Sequence, residues 1–350
     1  MKRCVFSFGI ILLLSAILWS CSTSSDNNLD DDLSLVQSME VNANALSDAV
    51  LDISESEGFK IITLDDGAAT KSDSRVQAEI NIDDINGIYD YVQTVNDEQS
   101  FNRFSWVEDS EDFILRLPKE KAMNPAKFYV NEDADYVNDF VITTSDYTYS
   151  YSAEGFNYLL DSNIKSEDEY VGDLYVAWSI IGDIPIEYKS EFAFANDYSV
   201  GVEYGFGEVL SFEFSLKRGD DLIYQEDVEI PSLEGGLEYS ITLGDIKIVV
   251  NSESETYKVY RNGVLEEGVT IQIIQGDEED EAVDTFFRKG MDVNVTFENG
   301  DIINLSDFIS EDTLELMDEV FSAMFDIKFV KHIVDKAALE VYKANSDVED

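Results

Sequence analysis

Apolar residues recur at helical spacing soon after the first thirty residues. Between Leu33 and Glu55 they follow one another at alternating steps of three and four, which places them on one face of a helix. These positions are Val36, Met39, Ala43, Leu46, Val50 and Ile53. The pattern predicts an amphipathic helix, and we interpret it as packing against a sheet rather than as a coiled coil that binds a partner.

From Phe59 to about Leu305 the apolar residues instead alternate with polar ones, which is the strand period. Turn dipeptides divide this region, and Asn-Gly is favoured in tight hairpins because both residues tolerate positive φ. The predicted hairpin turns are Asn262-Gly263, which joins Thr256–Arg261 to Val264–Ile274, and also Asn299-Gly300, Gly219-Asp220 and Gly182-Asp183. A chain of hairpins predicts antiparallel strands with one buried face and one face in solvent.

Helical spacing returns near Ser310 and continues to about Val341, with a break near Asp326. The predicted fold is therefore α+β: a large antiparallel curved sheet or partial β-barrel, flanked by an N-terminal and a C-terminal helix. A two-sheet β-sandwich with added helices is the alternative. Residues 33–350 are predicted to form one α+β domain, and the charged stretch at residues 165–170 is where it could be subdivided.

The first twenty residues have a different pattern. Lys2 and Arg3 precede an apolar run from Val5 to Trp19, which is shorter than the roughly 20 residues of a membrane-spanning helix. A basic start, a short apolar core and a small-residue exit indicate a signal peptide over residues 1–20. The alternatives are cleavage at another position or an uncleaved anchor.

The run ends in Leu18-Trp19-Ser20-Cys21, which resembles the lipobox of bacterial lipoproteins. The resemblance implies cleavage before Cys21 and attachment of a thioether diacylglycerol and an N-acyl chain, such as palmitate, to that cysteine. Several acyl chains together hold a protein firmly to a membrane. The polar, acidic stretch 21–32 is similar to the tether of Bacteroidota surface lipoproteins, which implies the outer membrane, with the cell surface favoured over the periplasmic face. The remaining chain resembles only uncharacterised lipoproteins of Bacteroidota.

The formal net charge is −51. Nucleic-acid binding depends on Lys and Arg neutralising phosphates, so this charge excludes a nucleic-acid partner. Acidity is otherwise explained by solubility, or by binding of divalent cations or a cationic partner. Hydrophobic residues still make up 44% of the chain, which is enough for a globular core.

Catalytic residue types are scarce. Cys4 lies in the signal peptide, Cys21 is the predicted lipid carrier, and His332 is the single histidine. Zinc sites, Ser-His-Asp hydrolysis and Cys-His chemistry are therefore disfavoured. We predict that the protein is not an enzyme. Glycoside hydrolysis by two carboxylates is the catalytic alternative, although acids are too abundant here for pairs to be informative.

One acidic segment resembles part of an EF-hand calcium loop. Asn131, Asp133, Asp135 and Asp139 supply oxygens at its first, third, fifth and ninth positions. The turn-forming Gly and the closing bidentate Glu of that motif are replaced by Tyr136 and Ile142. These residues are a calcium-site hypothesis, and a solvated acidic loop is the alternative. No other cofactor is predicted.

Aromatic residues offer a second kind of site. Tyr147, Tyr149 and Tyr151 alternate with Thr and Ser, so three tyrosines share one face of a predicted strand. Tyr204 and Phe206 repeat the pattern, with Trp178 on a nearby strand. An exposed row would stack on sugar rings, whereas a buried row would form core. Asp312-Thr313-Leu314 resembles the O-glycosylation site of Bacteroidota secreted proteins and equally suits the first turn of a helix.

Three functions fit these features. The first is a membrane-anchored, non-catalytic binding lipoprotein with a glycan or protein ligand. The second is a carrier or chaperone for a lipid or another lipoprotein, in which a curved sheet and its helices form an apolar cradle. The third is a carboxylate-based glycoside hydrolase.

Overall fold

The computed structural model describes residues 34–64, 77–92, 103–123, 136–181, 184–207, 209–231, 236–252, 256–274, 292–297, 300, 302–304, 307–325 and 328–346. Cys21 and the stretch 21–32 lie outside these ranges, as do Asn131, Asp133 and Asp135. The helices are α1 (Leu35–Ser54), α2 (Glu57–Ile62), α3 (Ile82–Ile85), α4 (Lys119–Ala122), α5 (Glu311–Phe325) and α6 (Lys328–Ser346).

A 15-stranded sheet dominates the fold. Its strands are β1 (Ala78–Asn81), β2 (Gly87–Tyr91), β3 (Phe104–Glu108), β4 (Phe113–Leu117), β5 (Phe140–Ser152), β6 (Gly155–Ser166), β7 (Glu169–Ile181), β8 (Ile184–Phe194), β9 (Tyr198–Phe206), β10 (Leu210–Arg218), β11 (Asp221–Ile230), β12 (Glu238–Leu243), β13 (Ile246–Asn251), β14 (Thr256–Arg261) and β15 (Val264–Leu265). A small second sheet holds β16 (Thr270–Ile274), β17 (Asp292–Thr296) and β18 (Ile302–Asn304).

From β5 to β15 every strand pairs with the next one in the chain, so this part is an antiparallel meander. On the other side, β4 and β1 both pair with β5, along its first and second halves. A register shift between Thr144 and Asp146 separates the two halves. The pair β2–β4 is parallel, and β3 lies at the end of the sheet order.

Alternation along the strands, most regular in β6, gives this sheet a buried inner face and a more exposed outer face. Along β6, Phe156, Tyr158, Leu160, Ser162 and Ile164 are all buried, and the residues between them are half-buried or exposed. The pairing register carries the inner face from strand to strand, because residues opposite each other point to the same side.

Helices cover the inner face. Ser34 caps α1 by accepting a hydrogen bond from the backbone N–H of Gln37, and Asn42 of α1 donates to the carbonyl of Leu243 at 3.0 Å. On α5, the Phe321 ring packs 4.6 Å from that of Phe214, measured between centroids. Gly58 brings α2 so close to the sheet that a Cβ there would lie 2.8 Å from the Phe192 ring.

The α+β prediction is confirmed as a large, mostly antiparallel open sheet with an N-terminal helix and C-terminal helices. In the part of the chain that the structure describes, helices rather than a second large sheet cover the inner face of the main sheet. The predicted hairpin pairings are present. Residues 165–170, where we considered a subdivision, comprise the end of β6, a turn at Glu167 and Asp168, which have positive φ, and the start of β7.

Two predicted boundaries were wrong. Phe59 belongs to the short helix α2 rather than to a strand, because the Ser56 hydroxyl caps a helix there by accepting from the Phe59 N–H. The segment Val264–Ile274 is not one strand. It divides into β15 and β16, which belong to different sheets, and Gly268 between them has a φ of 80°.

Candidate functional site: aromatic rings at one end of the inner face

Seven aromatic side chains form a continuous group on the inner face of β5 to β8. We call this group the aromatic cluster; it comprises Tyr147, Tyr149, Tyr151, Phe156, Tyr158, Trp178 and Tyr188. Cross-strand pairing assembles it, because Tyr158 lies opposite Tyr149 on one side and Trp178 on the other. Most neighbouring rings meet edge to face, the geometry that aromatic pairs prefer.

Burial changes across the aromatic cluster. Tyr147 and Tyr158 are each 1% exposed, whereas Tyr149, Tyr151 and Trp178 are half-buried. The half-buried rings lie toward the β5–β6 and β7–β8 turns, which are at the same end of the sheet, and they surround Phe156, which is 5% exposed. The cluster therefore has an interior part that is core and an outer part that solvent reaches.

A carboxylate on α6 holds the interior part. Asp335 Oδ1 accepts hydrogen bonds from the hydroxyls of Tyr147 at 3.1 Å and Tyr158 at 2.9 Å. Asp335 Oδ2 accepts from Lys331 Nζ at 2.7 Å, and Lys331 Nζ lies 4.4 Å from the centroid of the Tyr158 ring. These four residues, which we call the Asp335 cluster, join the C-terminal helix to the sheet.

Burial raises the pKa of Tyr147 and of Tyr158 well above the usual value, and the nearby Asp335 charge adds to the effect. Burial likewise raises the pKa of Tyr188, whose hydroxyl donates to the Met324 carbonyl of α5 at 3.0 Å. The phenols are therefore neutral at physiological pH. Their hydroxyls are engaged within the protein, and none of the three supplies an ionised nucleophile.

A second carboxylate is buried further along the inner face. Glu226 is 3% exposed. Its Oε1 accepts from the Tyr239 hydroxyl at 2.7 Å and its Oε2 from the Tyr224 hydroxyl at 3.3 Å. Burial, reinforced by the Glu226 charge, raises the pKa of both tyrosines well above the usual value. All three residues of this Glu226 cluster come from the neighbouring strands β11 and β12.

The predicted tyrosine row is thus brought together with Trp178 on one face. Tyr147 forms core, whereas Tyr149 and Tyr151 are half-buried at the edge of the core. Asp139, the described member of the calcium hypothesis, accepts from the Lys119 N–H through its carboxylate at 2.7 Å. Among the described residues, no group of three or more His, Cys, Asp or Glu side chains is placed to hold a metal ion.

Thr313 lies in the first turn of α5 and is 6% exposed. Its N–H donates to the hydroxyl of Ser310, and its own hydroxyl donates to that of Ser47 on α1. Thr313 therefore belongs to the start of a helix, which is the second interpretation of Asp312-Thr313-Leu314, and it joins α5 to α1.

Sequence reasoning missed Asp335 and Glu226. Asp335 looks like any polar residue between the apolar positions Val334 and Ala337 of a helix. Glu226 could have been found from the sequence, because it is an acid at an inward position of β11, between Tyr224 and Val228.

No protein family, curated protein or solved structure matches the chain. Along the described ranges, no helix combines the length and apolarity that a membrane crossing requires.

Proposed function

We propose that this chain is a non-catalytic binding lipoprotein, anchored in the outer membrane through lipid on Cys21 and displayed at the cell surface. Its ligand contacts the half-buried part of the aromatic cluster, formed by Tyr149, Tyr151 and Trp178. The observation that carries the proposal is the change in burial across one continuous group of rings.

The ligand that these rings suit is an uncharged one with a flat apolar face, such as the ring of a neutral sugar. Aromatic faces stack on such surfaces, and tyrosine hydroxyls such as those of Tyr149 and Tyr151 both donate and accept hydrogen bonds. A net charge of −51 repels anionic ligands.

A lipid carrier is the second candidate. The observation that favours it is the apolar inner face, which helices from both ends of the chain cover. An acyl chain lying between helices and sheet would also meet the aromatic cluster.

A glycoside hydrolase is the third candidate and has the least support. Such enzymes need two carboxyl groups about 5–9 Å apart. Asp335 accepts hydrogen bonds from the aromatic cluster, but two phenols and a lysine already engage it.

Trp178 makes the test direct. The three tryptophans are Trp19, Trp106 and Trp178, so a chain that starts at Ser22 and carries Trp106→Phe keeps Trp178 as its single fluorophore. Neutral oligosaccharides should change the Trp178 emission and protect it from acrylamide. A brominated fatty acid should quench it if the carrier alternative is correct.

The variant Tyr149→Ala with Tyr151→Ala should weaken saccharide binding at least tenfold. Tyr175→Ala is the matched control, because Tyr175 lies on the outer face of the same strand as Trp178 and is also half-buried. Equal losses in both variants, or no response of Trp178 to any saccharide, would refute the ligand site.

The anchor has its own test. Cells fed an alkyne-tagged palmitate should label the full chain but not Cys21→Ala, and protease added to intact cells should remove the anchored domain. Labelling that persists in Cys21→Ala would contradict the lipid site, and protection from protease would place the domain in the periplasm.

A further inference from the structure

One aromatic ring on each of six neighbouring strands, β5 to β10, lies in a line across the inner face. We call this line the cross-strand row; each member is directly opposite the next, and the members are Tyr149, Tyr158, Trp178, Tyr188, Tyr204 and Phe212. Directly opposite residues of an antiparallel pair share one face of the sheet. Because neighbouring strands are about 4.8 Å apart, the row is about 24 Å long. It therefore continues the aromatic cluster onto two further strands.

The part of the cross-strand row on β9 and β10 lies at the edge of the cover that α5 provides. Phe321 of α5 packs against Phe212, with 5.8 Å between the ring centroids. Along β9, Val202 is 1% exposed, Tyr204 is half-buried, and Phe206, nearest the β9–β10 turn, is 40% exposed. Solvent therefore reaches this part of the row, as it reaches the outer part of the aromatic cluster.

We propose that the ligand site extends along the cross-strand row and takes a chain of neutral sugar rings that lies across the strands. The inference rests on the proposed function and narrows its ligand to an oligosaccharide that spans several strands. A sugar ring stacks its flat apolar face on an aromatic ring. Tyr158 is covered, so the half-buried members of the row make these contacts, and Phe206 adds a further ring beside Tyr204.

Charge and ring content distinguish this ligand from the acyl chain of the carrier alternative. The net charge of −51 repels the carboxylate of a fatty acid and the phosphate of a phospholipid, but it does not repel a neutral sugar. An acyl chain has no flat face to stack, and aliphatic side chains would line its path equally well. Six neighbouring strands that each supply a ring therefore favour the oligosaccharide.

The test compares ligands of two lengths. It uses the chain that starts at Ser22 and carries Trp106→Phe, which keeps every described helix and strand and reports binding through Trp178. Maltose and cellobiose are the short probes, and maltohexaose and cellohexaose are the long ones. A long probe should bind at least tenfold more tightly than the short probe of the same linkage, because it reaches more rings of the row.

The variant Tyr204→Ala, Phe206→Ala should remove this advantage. Its affinity for the long probe should fall at least tenfold, while its affinity for the short probe changes less than twofold. Tyr175→Ala, Tyr260→Ala is the matched control, because it removes two half-buried rings from the outer face of the same sheet.

Equal affinity for short and long probes, or equal losses in the row and control variants, would overturn the extended site and leave a site at the aromatic cluster alone. If no probe changes the Trp178 emission, the extended site fails together with the proposed function. Quenching by a brominated fatty acid that the row variant abolishes would overturn the oligosaccharide and assign the cross-strand row to an acyl chain.

Discussion

The Asp335 and Glu226 clusters use the same chemistry in different settings. In each, one carboxylate accepts hydrogen bonds from two tyrosine hydroxyls that are nearly removed from solvent. Asp335 lies on a helix far along the chain, keeps 22% of its side chain exposed and also contacts Lys331. Glu226 is buried between neighbouring strands. The difference teaches that one motif can hold a separate element in place or stiffen a strand pair, depending on where the carboxylate originates.

Raising the pH above 10 should have the largest effect on the free energy of unfolding, because both clusters contribute to it. The four tyrosines have pKa values raised in the folded state, so the unfolded chain loses these protons first as the pH rises above 10. Their contribution to stability is complete below pH 10 and declines above it, by about 1.4 kcal/mol per pH unit for each tyrosine that remains protonated. Urea denaturation between pH 9 and 12 measures this slope.

Replacing both tyrosines of one cluster by Phe should reduce that slope by about 2.7 kcal/mol per pH unit, the contribution of two tyrosines. The pair Tyr147→Phe, Tyr158→Phe and the pair Tyr224→Phe, Tyr239→Phe can be compared directly. If neither pair changes the slope, the alkaline transition has another cause.

The Glu226→Leu variant should give the next largest effect. It removes the acceptor of two buried hydroxyls, and each hydroxyl left without one costs about 1–3 kcal/mol. We expect the free energy of unfolding to fall by about 3 kcal/mol in urea titrations. Adding Tyr224→Phe and Tyr239→Phe should restore most of the loss, because an apolar replacement of the whole group leaves no unsatisfied donor. A triple variant no more stable than Glu226→Leu would show that the carboxylate itself matters.

Asp335→Asn should cost less, about 1 kcal/mol, because the amide oxygen still accepts one hydroxyl and the site is partly hydrated. The change should act locally. Hydrogen exchange of α6 amides should accelerate while that of β6 to β10 stays close to wild type. Acceleration spread evenly over the sheet would mean that α6 does not open as a separate unit.

Glu57 is a more exposed carboxylate, and its replacement should have the smallest effect on the free energy of unfolding. Hydrogen bonding to Lys119 is the main cause that lowers the pKa of Glu57, whose side chain is 37% exposed. Glu57→Gln should cost less than about 1 kcal/mol at pH 7, because exposed ion pairs are weak. The contribution is complete above the unfolded pKa of 4.5 and disappears as the pH falls through the lower folded value. A loss equal to that of Asp335→Asn would mean that burial does not separate these sites.

Local patterns were sufficient to predict the parts of the fold that depend on neighbours in the chain. The apolar spacing of α1 and the turn at Gly219-Asp220 each lie within one short segment. The parallel pairing of β2 with β4 was not predictable in this way, because it depends on how the chain crosses between strands. Nor was the division of Val264–Ile274, where a change of sheet leaves the strand period intact.

For the same reason, only part of the candidate site could be predicted from the sequence. The shared face of Tyr147, Tyr149 and Tyr151 follows from strand period alone. The contact between Tyr147 and Asp335 joins positions 188 residues apart, and nothing in either local pattern specifies the partner. The degree of exposure of Tyr149 likewise depends on what the distant helix leaves uncovered.

The cover of the inner face has a consequence for how the chain matures. A polypeptide emerges from its amino terminus, and the strands from β5 onward can each pair with the one before as they appear. The helices α5 and α6 are the last described elements to emerge. Until they do, the apolar inner face of a nearly complete sheet is exposed to solvent. A chain ended at Ser310 should consequently bind a dye specific for apolar surface and aggregate, and the delay before Glu311 arrives is when a holding chaperone would be most useful.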